Sequence, residues 1–237
     1  MAKKITVGLC TSGSRLVAAV SAGGRLYAAR RKVYNQERVL YGVLEGRLRR
    51  AGGSLRDVGA VCAARGPGRF TGTRIALTLA GVLKELSGAE VLTATVFEIL
   101  ALQACGTRHF SDWKDGGGRT LAVLLHAFKD EYFCQFFEAG RGAAKPRAVT
   151  EPAWLPEAGV RELLASRAGP LYCVADEEER PGIYSLLPAG AERAPAAVSR
   201  VLPGGIIAAA RAWGSRTLRP LYLKPAKYEL GPAGRKA

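Results

Sequence analysis

Short apolar runs separated by small polar turns open the chain. Residues 5–9, 16–20 and 26–33 each have the length and apolar content of a strand, and glycine or serine lies in the first two connections. This spacing predicts an antiparallel meander of three strands. Residues 36–50 then place apolar side chains at every third or fourth position, which predicts a helix that ends before Gly52-Gly53.

The remaining apolar pattern repeats this order of elements. We expect a strand at 58–63, a helix at 72–86, a strand at 91–96 and a helix at 98–105. A polar break at Asp115-Gly116-Gly117-Gly118 precedes a second series, with strands at 120–128, 131–138 and 147–150, a helix at 155–166, a strand at 171–175 and a helix at 206–213.

This order predicts an α/β protein with two βββαβα lobes, residues 1–106 and 107–237, the second of them degraded. Duplicated lobes of this kind are typical of the actin-like, Hsp70-like and sugar-kinase fold, also called the ASKHA or ribonuclease H-like fold. The helix at 72–86 is apolar around nearly its whole circumference. Such a helix is buried on several faces, either by its own domain or by a partner.

Composition adds a strong basic excess to this picture. The chain has 237 residues, of which 48% are hydrophobic, and a formal charge of +15. Residues 1–120 carry 19 of the 35 basic and 8 of the 20 acidic side chains, so most of the excess lies in the first lobe. A positive field of this kind speeds the approach of a polyanion such as RNA. Arginine-rich codon usage explains the excess equally well.

The absence of certain sequence signals narrows the class of protein. No stretch approaches the roughly 20 apolar residues of a membrane-spanning helix, and no signal peptide is visible, so we expect a cytoplasmic protein without membrane contact. The cysteines lack CxxC spacing and the two histidines lie 17 residues apart, which predicts reduced thiols and no metal site. A Cys–His pair that meets only in space remains open.

One segment is rich in both glycine and arginine: Arg65-Gly66-Pro67-Gly68-Arg69-Phe70-Thr71-Gly72-Thr73-Arg74-Ile75. It joins a predicted strand to a predicted helix, and its glycines permit positive φ and close backbone approach. The free amides at a helix start can hold an anion, which the arginines would reinforce. The GK[ST] ending of a Walker A loop is missing. A tight strand–helix connection without any ligand is the competing interpretation.

The residues GPGRFTGTRI within this segment resemble the GPGSFTGLRIG signature of the TsaB (YeaZ) family. Members of that family belong to the bacterial machinery for N6-threonylcarbamoyladenosine in tRNA. Further similarity lies at 6–12, at the helix beginning Gln36-Glu37, at 51–58, and at Arg219-Pro220-Leu221-Tyr222-Leu223-Lys224, which is similar to the family's terminal P-YLR. The resemblance covers residues 1 to about 105 well and the second lobe thinly.

The resemblance implies a non-catalytic scaffold that binds a TsaD-like catalytic paralogue, with a TsaE-like P-loop ATPase docking on the complex and tRNA bound through it. It implies no cofactor in this chain, with ATP and metal on the partner subunits, and it leaves open a homodimer when the paralogue is absent. The family pairs through its first two helices. The corresponding residues are Leu40, Val43, Leu44 and Arg47 on the first helix and Ile75, Leu79, Val82 and Leu86 on the second.

At two places the sequence departs from the family pattern, and these departures bear on whether the chain is an enzyme. Cys10 stands where the family has an aspartate, and Leu125-His126-Ala127-Phe128 stands in place of its IDAR segment. A thiol cannot replace a carboxylate as a ligand for Mg²⁺, which disfavours ATP hydrolysis by this chain. An ATPase or small-molecule kinase of the same fold, with phosphate at Gly66–Gly72, remains the alternative. A peptidase lacks a recognisable metal site or triad in the sequence.

Overall fold

The first of two sheets contains the predicted meander. The computed structural model describes residues 5–140 and 145–224. The five-stranded sheet has the order β3-β2-β1-β4-β5, in which β1–β3 are antiparallel and β4 and β5 run parallel to β1. Its strands are β1 (Ile5–Cys10), β2 (Arg15–Ala22), β3 (Arg25–Lys32), β4 (Val58–Ala64) and β5 (Glu90–Ala94).

Two helices cover the outer face of this sheet. Helix α1 (Gln36–Arg50) and helix α2 (Phe70–Ser87) bury their apolar stripes with the outward side chains of the strands in one core cluster. Both helices end at a glycine in the left-handed region, Gly52 after α1 and Gly88 after α2. The Gly53 amide donates to the Leu48 carbonyl at 3.0 Å, which satisfies a free carbonyl at the end of α1.

The second sheet belongs to the second lobe. Its order is β11-β10-β6-β7-β8, and β9 also pairs with β7. Helix α5 (Glu157–Ala165) packs on its outer face in a separate core cluster. The strands are β6 (Thr120–Phe128), β7 (Glu131–Glu138), β8 (Arg147–Ala148), β9 (Ala153–Pro156), β10 (Leu171–Ala175) and β11 (Glu192–Arg193).

Helices α3 (Val96–Cys105) and α6 (Pro203–Trp213) form a layer between the two sheets. Their side chains share one large core cluster with the inner faces of both sheets. Helix α6 contacts β1, β4 and β5, so it packs on the first sheet although it lies in the second predicted lobe. The boundary predicted at 106/107 therefore divides the chain in sequence, while the central layer is common to both lobes.

The structure moves some predicted boundaries, and the causes are local. The strand predicted at 91–96 ends at Ala94 because Thr95 begins α3 with a capping box. The Thr95 hydroxyl accepts from the Glu98 amide at 3.1 Å, and the Glu98 carboxylate accepts from the Thr95 amide at 2.7 Å. Helix α2 begins at Phe70 rather than near Gly72.

Two elements escape the apolar pattern. Helix α4 (Arg108–Asp115) is polar apart from Phe110 and Trp113, and the Thr107 hydroxyl caps it by accepting from the Phe110 amide at 3.1 Å. In the second lobe, the single strand predicted at 147–150 is replaced by the two-residue β8 and by β9, both paired with β7. In the described part of the chain, every helix is too short or too polar to cross a bilayer.

Candidate functional site

The glycine-rich segment connects β4 to α2 and presses against the turn between β1 and β2. Gly68 has a φ of +155°, and a Cβ there would lie 2.4 Å from the Ser12 carbonyl oxygen. A Cβ on Gly72 would lie 2.0 Å from the Thr11 carbonyl oxygen. Both contacts are too close for any side chain, so close backbone approach explains these two glycines.

Hydrogen bonds hold the segment on both sides. The Arg69 amide donates to the Ser12 carbonyl at 2.7 Å, and the Thr11 hydroxyl donates to the Gly72 carbonyl at 2.5 Å. The Arg65 carbonyl accepts from the Leu221 amide at 2.7 Å. One backbone amide and two backbone carbonyls of the segment are therefore bonded to other parts of the protein. The guanidinium groups of Arg69 and Arg74 belong to exposed residues at the edge of the segment.

An apolar groove runs between α1 and α2. Its volume is about 440 Å³, and it is open to solvent along its length. Among its lining residues, Tyr41, Phe70 and Val82 are exposed, and Ile75 and Leu79 are half-buried. Next to it, Leu86 is 65% exposed. Large apolar side chains gathered on one exposed face of a protein mark an interaction surface more often than scattered ones do.

The structure divides the predicted interface residues into two groups. Leu40, Val43 and Leu44 are buried in the core beneath α1, where they pack on the chain's own sheet, although Leu40 also reaches the groove. Arg47 is half-buried, and its guanidinium donates to the Ala28 carbonyl at 3.3 Å. The four residues on α2 (Ile75, Leu79, Val82 and Leu86) instead face the groove or solvent.

Tyr41 is a groove residue that the sequence analysis missed. It is 55% exposed and lies one turn after Glu37 on the side of α1 that faces α2. Its position beside the buried stripe, directly after Leu40, was the available signal. The apolar period alone could not separate the side chains of α1 that face the sheet from those that border a partner surface.

A second cavity lies between the two lobes, at the carboxyl ends of β1, β6 and β10. Its volume is about 230 Å³, and Cys10, Ser12, His126, Asp176 and Glu179 are among its lining residues. Ligand sites for drug-sized molecules usually measure about 300–1,000 Å³. This cavity is therefore suited to a small ligand at most.

Burial controls the titratable groups of this cavity. Burial raises the pKa of the Cys10 thiol to about 11, so the thiol stays protonated at neutral pH. Burial and the charge of Glu179 raise the pKa of Asp176 to about 7. The His126 ring makes a 2.8 Å hydrogen bond to the Lys129 carbonyl, and His109 contacts the Tyr172 hydroxyl at 2.8 Å. Neither contact pairs a histidine with a thiol.

Acidic residues after β10 fasten the two lobes together at the cavity mouth. A Glu179 carboxylate oxygen accepts from both the amide and the hydroxyl of Ser14 at 2.8 Å. The neighbouring Glu178 contacts three guanidinium groups, those of Arg15 (3.0 Å), Arg30 and Arg200 (3.3 Å). Burial opposes the charge of Glu178, but Arg30 and Arg15 outweigh that effect and hold its pKa below the usual range.

Solved structures of other proteins share this architecture. YeaZ from Pseudomonas aeruginosa superposes with a TM-score of 0.70 at 22% identity, over 94% of this chain and 100% of that chain. The chain has the YeaZ fold. A second structure, described as an uncharacterized protein with similarity to peptidase YEAZ from the same organism, has a TM-score of 0.69 at 22% identity, with the same coverage. No protein-family model and no curated protein sequence matches the chain.

The YeaZ fold confirms two predictions from the sequence. The α/β architecture of two lobes, of the actin-like and sugar-kinase-like type, is confirmed, and so is the resemblance to YeaZ at the level of the fold. The agreement extends through the second lobe, where the sequence resemblance is thin. At 22% identity, however, a shared fold says nothing by itself about partners or chemistry, which must be argued from the groove and the cavity.

Proposed function

We propose that this chain is a TsaB/YeaZ-type scaffold subunit of a tRNA N6-threonylcarbamoyladenosine complex. It binds a TsaD-like catalytic paralogue through the groove between α1 and α2 and holds that subunit in its active shape. A TsaE-like P-loop ATPase and tRNA bind the assembled complex, which supplies ATP and metal from the partner subunits. The exposed apolar groove is the single observation that carries this proposal.

The position of the groove supports a partner of the same fold. Two helices whose apolar side chains line an open groove can receive the matching pair from a second subunit, with ridges of one pair packing into grooves of the other. Phe70, Val82 and Leu86 are large apolar side chains of α2 that its own sheet leaves exposed. The same surface serves a second copy of this chain when the paralogue is absent.

The chemistry of the interlobe cavity favours a role without catalysis in this chain. A neutral Cys10 thiol lies at the end of β1, where a carboxylate would be needed to organise Mg²⁺. In the Gly66–Gly72 segment, the Arg69 amide, which could otherwise hold phosphate, already donates to the Ser12 carbonyl. These observations disfavour the alternative, an ATPase or small-molecule kinase that binds phosphate at this segment. Isothermal titration of the isolated chain with Mg·ATP tests it, and micromolar binding with turnover would support the enzyme.

A pair of leucine variants tests the groove. Leu86→Lys places a charge on α2, one turn after the groove residue Val82. Leu26→Lys places a charge on β3, near Gly204 of α6, on the side of the sheet that faces away from the groove. We expect Leu86→Lys to weaken binding of the TsaD-like paralogue at least about tenfold, because the complex would bury a charge without a partner in an apolar contact. Leu26→Lys should bind as the wild type does. Equal affinities for all three proteins would contradict the proposed interface.

The tRNA reaction tests the role itself. The paralogue and the ATPase are assayed for threonylcarbamoyl transfer to tRNA with the wild-type chain, with Leu86→Lys and with no chain. We expect full activity only with the wild type, and partial recovery with Leu86→Lys at high concentration, since a weakened complex forms by mass action. Equal activity without the chain would refute the scaffold role.

A further inference from the structure

A surface formed by the last described segment carries aromatic rings and cationic side chains. Residues 214–224, here called the strap, leave α6 and run past β5 and the glycine-rich segment to the second lobe. The Thr93 amide donates to the Ser215 carbonyl and the Leu221 amide to the Arg65 carbonyl, each at 2.7 Å. The strap is therefore anchored to the first lobe by backbone hydrogen bonds.

An aromatic pair forms near the end of the strap, between Tyr222 and Phe70 of α2. The rings of Tyr222 and Phe70 stack with their centroids 4.6 Å apart and their planes at 22°. The Arg74 guanidinium lies 4.9 Å from the Phe70 centroid. Tyr222 is 42% exposed and Phe70 49%, so this stack faces solvent instead of filling a core. Two residues further along, Lys224 lies 5.3 Å from the centre of the exposed Phe128 ring.

Three exposed arginines belong to the two segments that carry this pair. In residues 5–140 and 145–224, none of the ion pairs involves Arg69, Arg74 or Arg219. All three residues are exposed. Arg219 is three residues from Tyr222, which places their Cα atoms within about 11 Å. This contrasts with Arg15, Arg30 and Arg200, each of which pairs with Glu178.

We propose that the strap surface binds a single-stranded nucleic acid, with a base stacked on the Tyr222–Phe70 pair and the backbone phosphates held by Arg69, Arg74 and Arg219. Base stacking on exposed aromatic rings, combined with a positively charged path for the backbone, is how proteins bind single strands without reading their sequence. A duplex keeps its bases stacked internally and cannot use the rings. Phe70 and Arg74 also line the groove between α1 and α2, so this surface overlaps the proposed paralogue interface. The proposal concerns the chain without its paralogue and does not rest on the proposed scaffold role.

Fluorescence anisotropy of the full chain with labelled 12-nucleotide strands of mixed sequence tests the proposal, in RNA and DNA versions and as duplexes. We expect Tyr222→Ala to weaken single-strand binding about fivefold to a hundredfold, and Tyr222→Phe to retain it because the ring remains. Tyr34→Ala is the matched control, because Tyr34 is 86% exposed and precedes α1. Arg219→Gln should lower the slope of log affinity against log salt by about 0.7.

The outcomes separate the proposal from its rivals. Dependence on Tyr222 with either strand type supports it, and the ratio of the RNA and DNA affinities identifies the preferred strand. Equal binding by Tyr222→Ala and the wild type would overturn it, as would an equal loss in Tyr34→Ala or equal affinity for the duplex. Thermal unfolding of each variant, expected to match the wild type, excludes an effect through misfolding. Because the paralogue is absent from this assay, its result is independent of the scaffold experiment.

Discussion

The fastening of the two lobes by Glu178 makes a measurable prediction. Glu178→Gln keeps the shape of the side chain but leaves three guanidinium groups without their shared counter-charge. The side chains are 22% exposed for Glu178 and 34%, 23% and 39% for Arg15, Arg30 and Arg200, so the cluster lies between a buried and a surface ion pair. Breaking a buried pair costs about 3–5 kcal/mol and a surface pair at most about 1 kcal/mol.

We therefore expect Glu178→Gln to lower the free energy of unfolding by about 2–3 kcal/mol at pH 7. For a chain of this length, that corresponds to about 4–12 °C in Tm. The loss should depend on pH. The pKa of Glu178 is below its usual range in the folded state, so its contribution is present above the unfolded pKa and disappears as pH falls through the folded pKa.

Urea unfolding followed by tryptophan fluorescence at pH 7 and at pH 3.5 measures this effect. Glu138→Gln is the control, because Glu138 pairs with Arg147 on the surface, where the side chains are 50% and 73% exposed. The control should change the unfolding free energy by less than about 0.5 kcal/mol. If Glu178→Gln were no more destabilising than the control, or equally destabilising at both pH values, the cluster would not fasten the lobes as described.

Two further predictions concern the cavity and the glycine-rich segment. Because the pKa of Asp176 is raised in the folded state, the folded chain retains a proton that the unfolded chain releases. The free energy of unfolding should therefore fall as pH rises from about 4 to about 7. In urea titrations, Asp176→Asn should remove this pH dependence and raise the free energy of unfolding by up to about 4 kcal/mol at pH 8. Gly72→Ala should lower Tm because its Cβ would meet the Thr11 carbonyl, whereas Gly46→Ala, with nothing within 4 Å in α1, should stabilise by about 0.5–1 kcal/mol. A stabilised Gly72→Ala protein, or an Asp176→Asn protein that retains the pH slope, would contradict the corresponding argument.

The elements that the sequence predicted well are those with local signals. The bounds predicted for α1, 36–50, and for the hairpin strands at 120–128 and 131–138 agree with the structure, because apolar periodicity and glycine punctuation are sufficient there. Helix α4 was not predicted because it buries little apolar surface and depends on the cap from Thr107. The capping box at Thr95 and Glu98 was visible in the sequence and would have corrected the end of β5.

The candidate site was less predictable because its parts meet over long sequence separations. The run Asp176-Glu177-Glu178-Glu179 reads as a solvated loop, yet Glu178 binds Arg15 and Arg30 from the other lobe. No local pattern contains that contact. The groove was partly predictable, since an apolar stripe on α2 indicated it, but the stripe on α1 belongs to the chain's own core. An apolar stripe that packs on the protein's own core and one that binds a partner both repeat every 3.6 residues, so the period alone does not distinguish them.

The position of α6 has a consequence for synthesis on the ribosome. The first sheet is complete at residue 94, but the helix that covers its inner face ends at Trp213, more than a hundred residues later. During translation, at about 5–20 residues per second, that apolar face stays uncovered for at least several seconds while the second lobe emerges. We therefore expect the nascent first lobe to need chaperones, and a chain truncated before α6 to aggregate rather than fold as a half-protein.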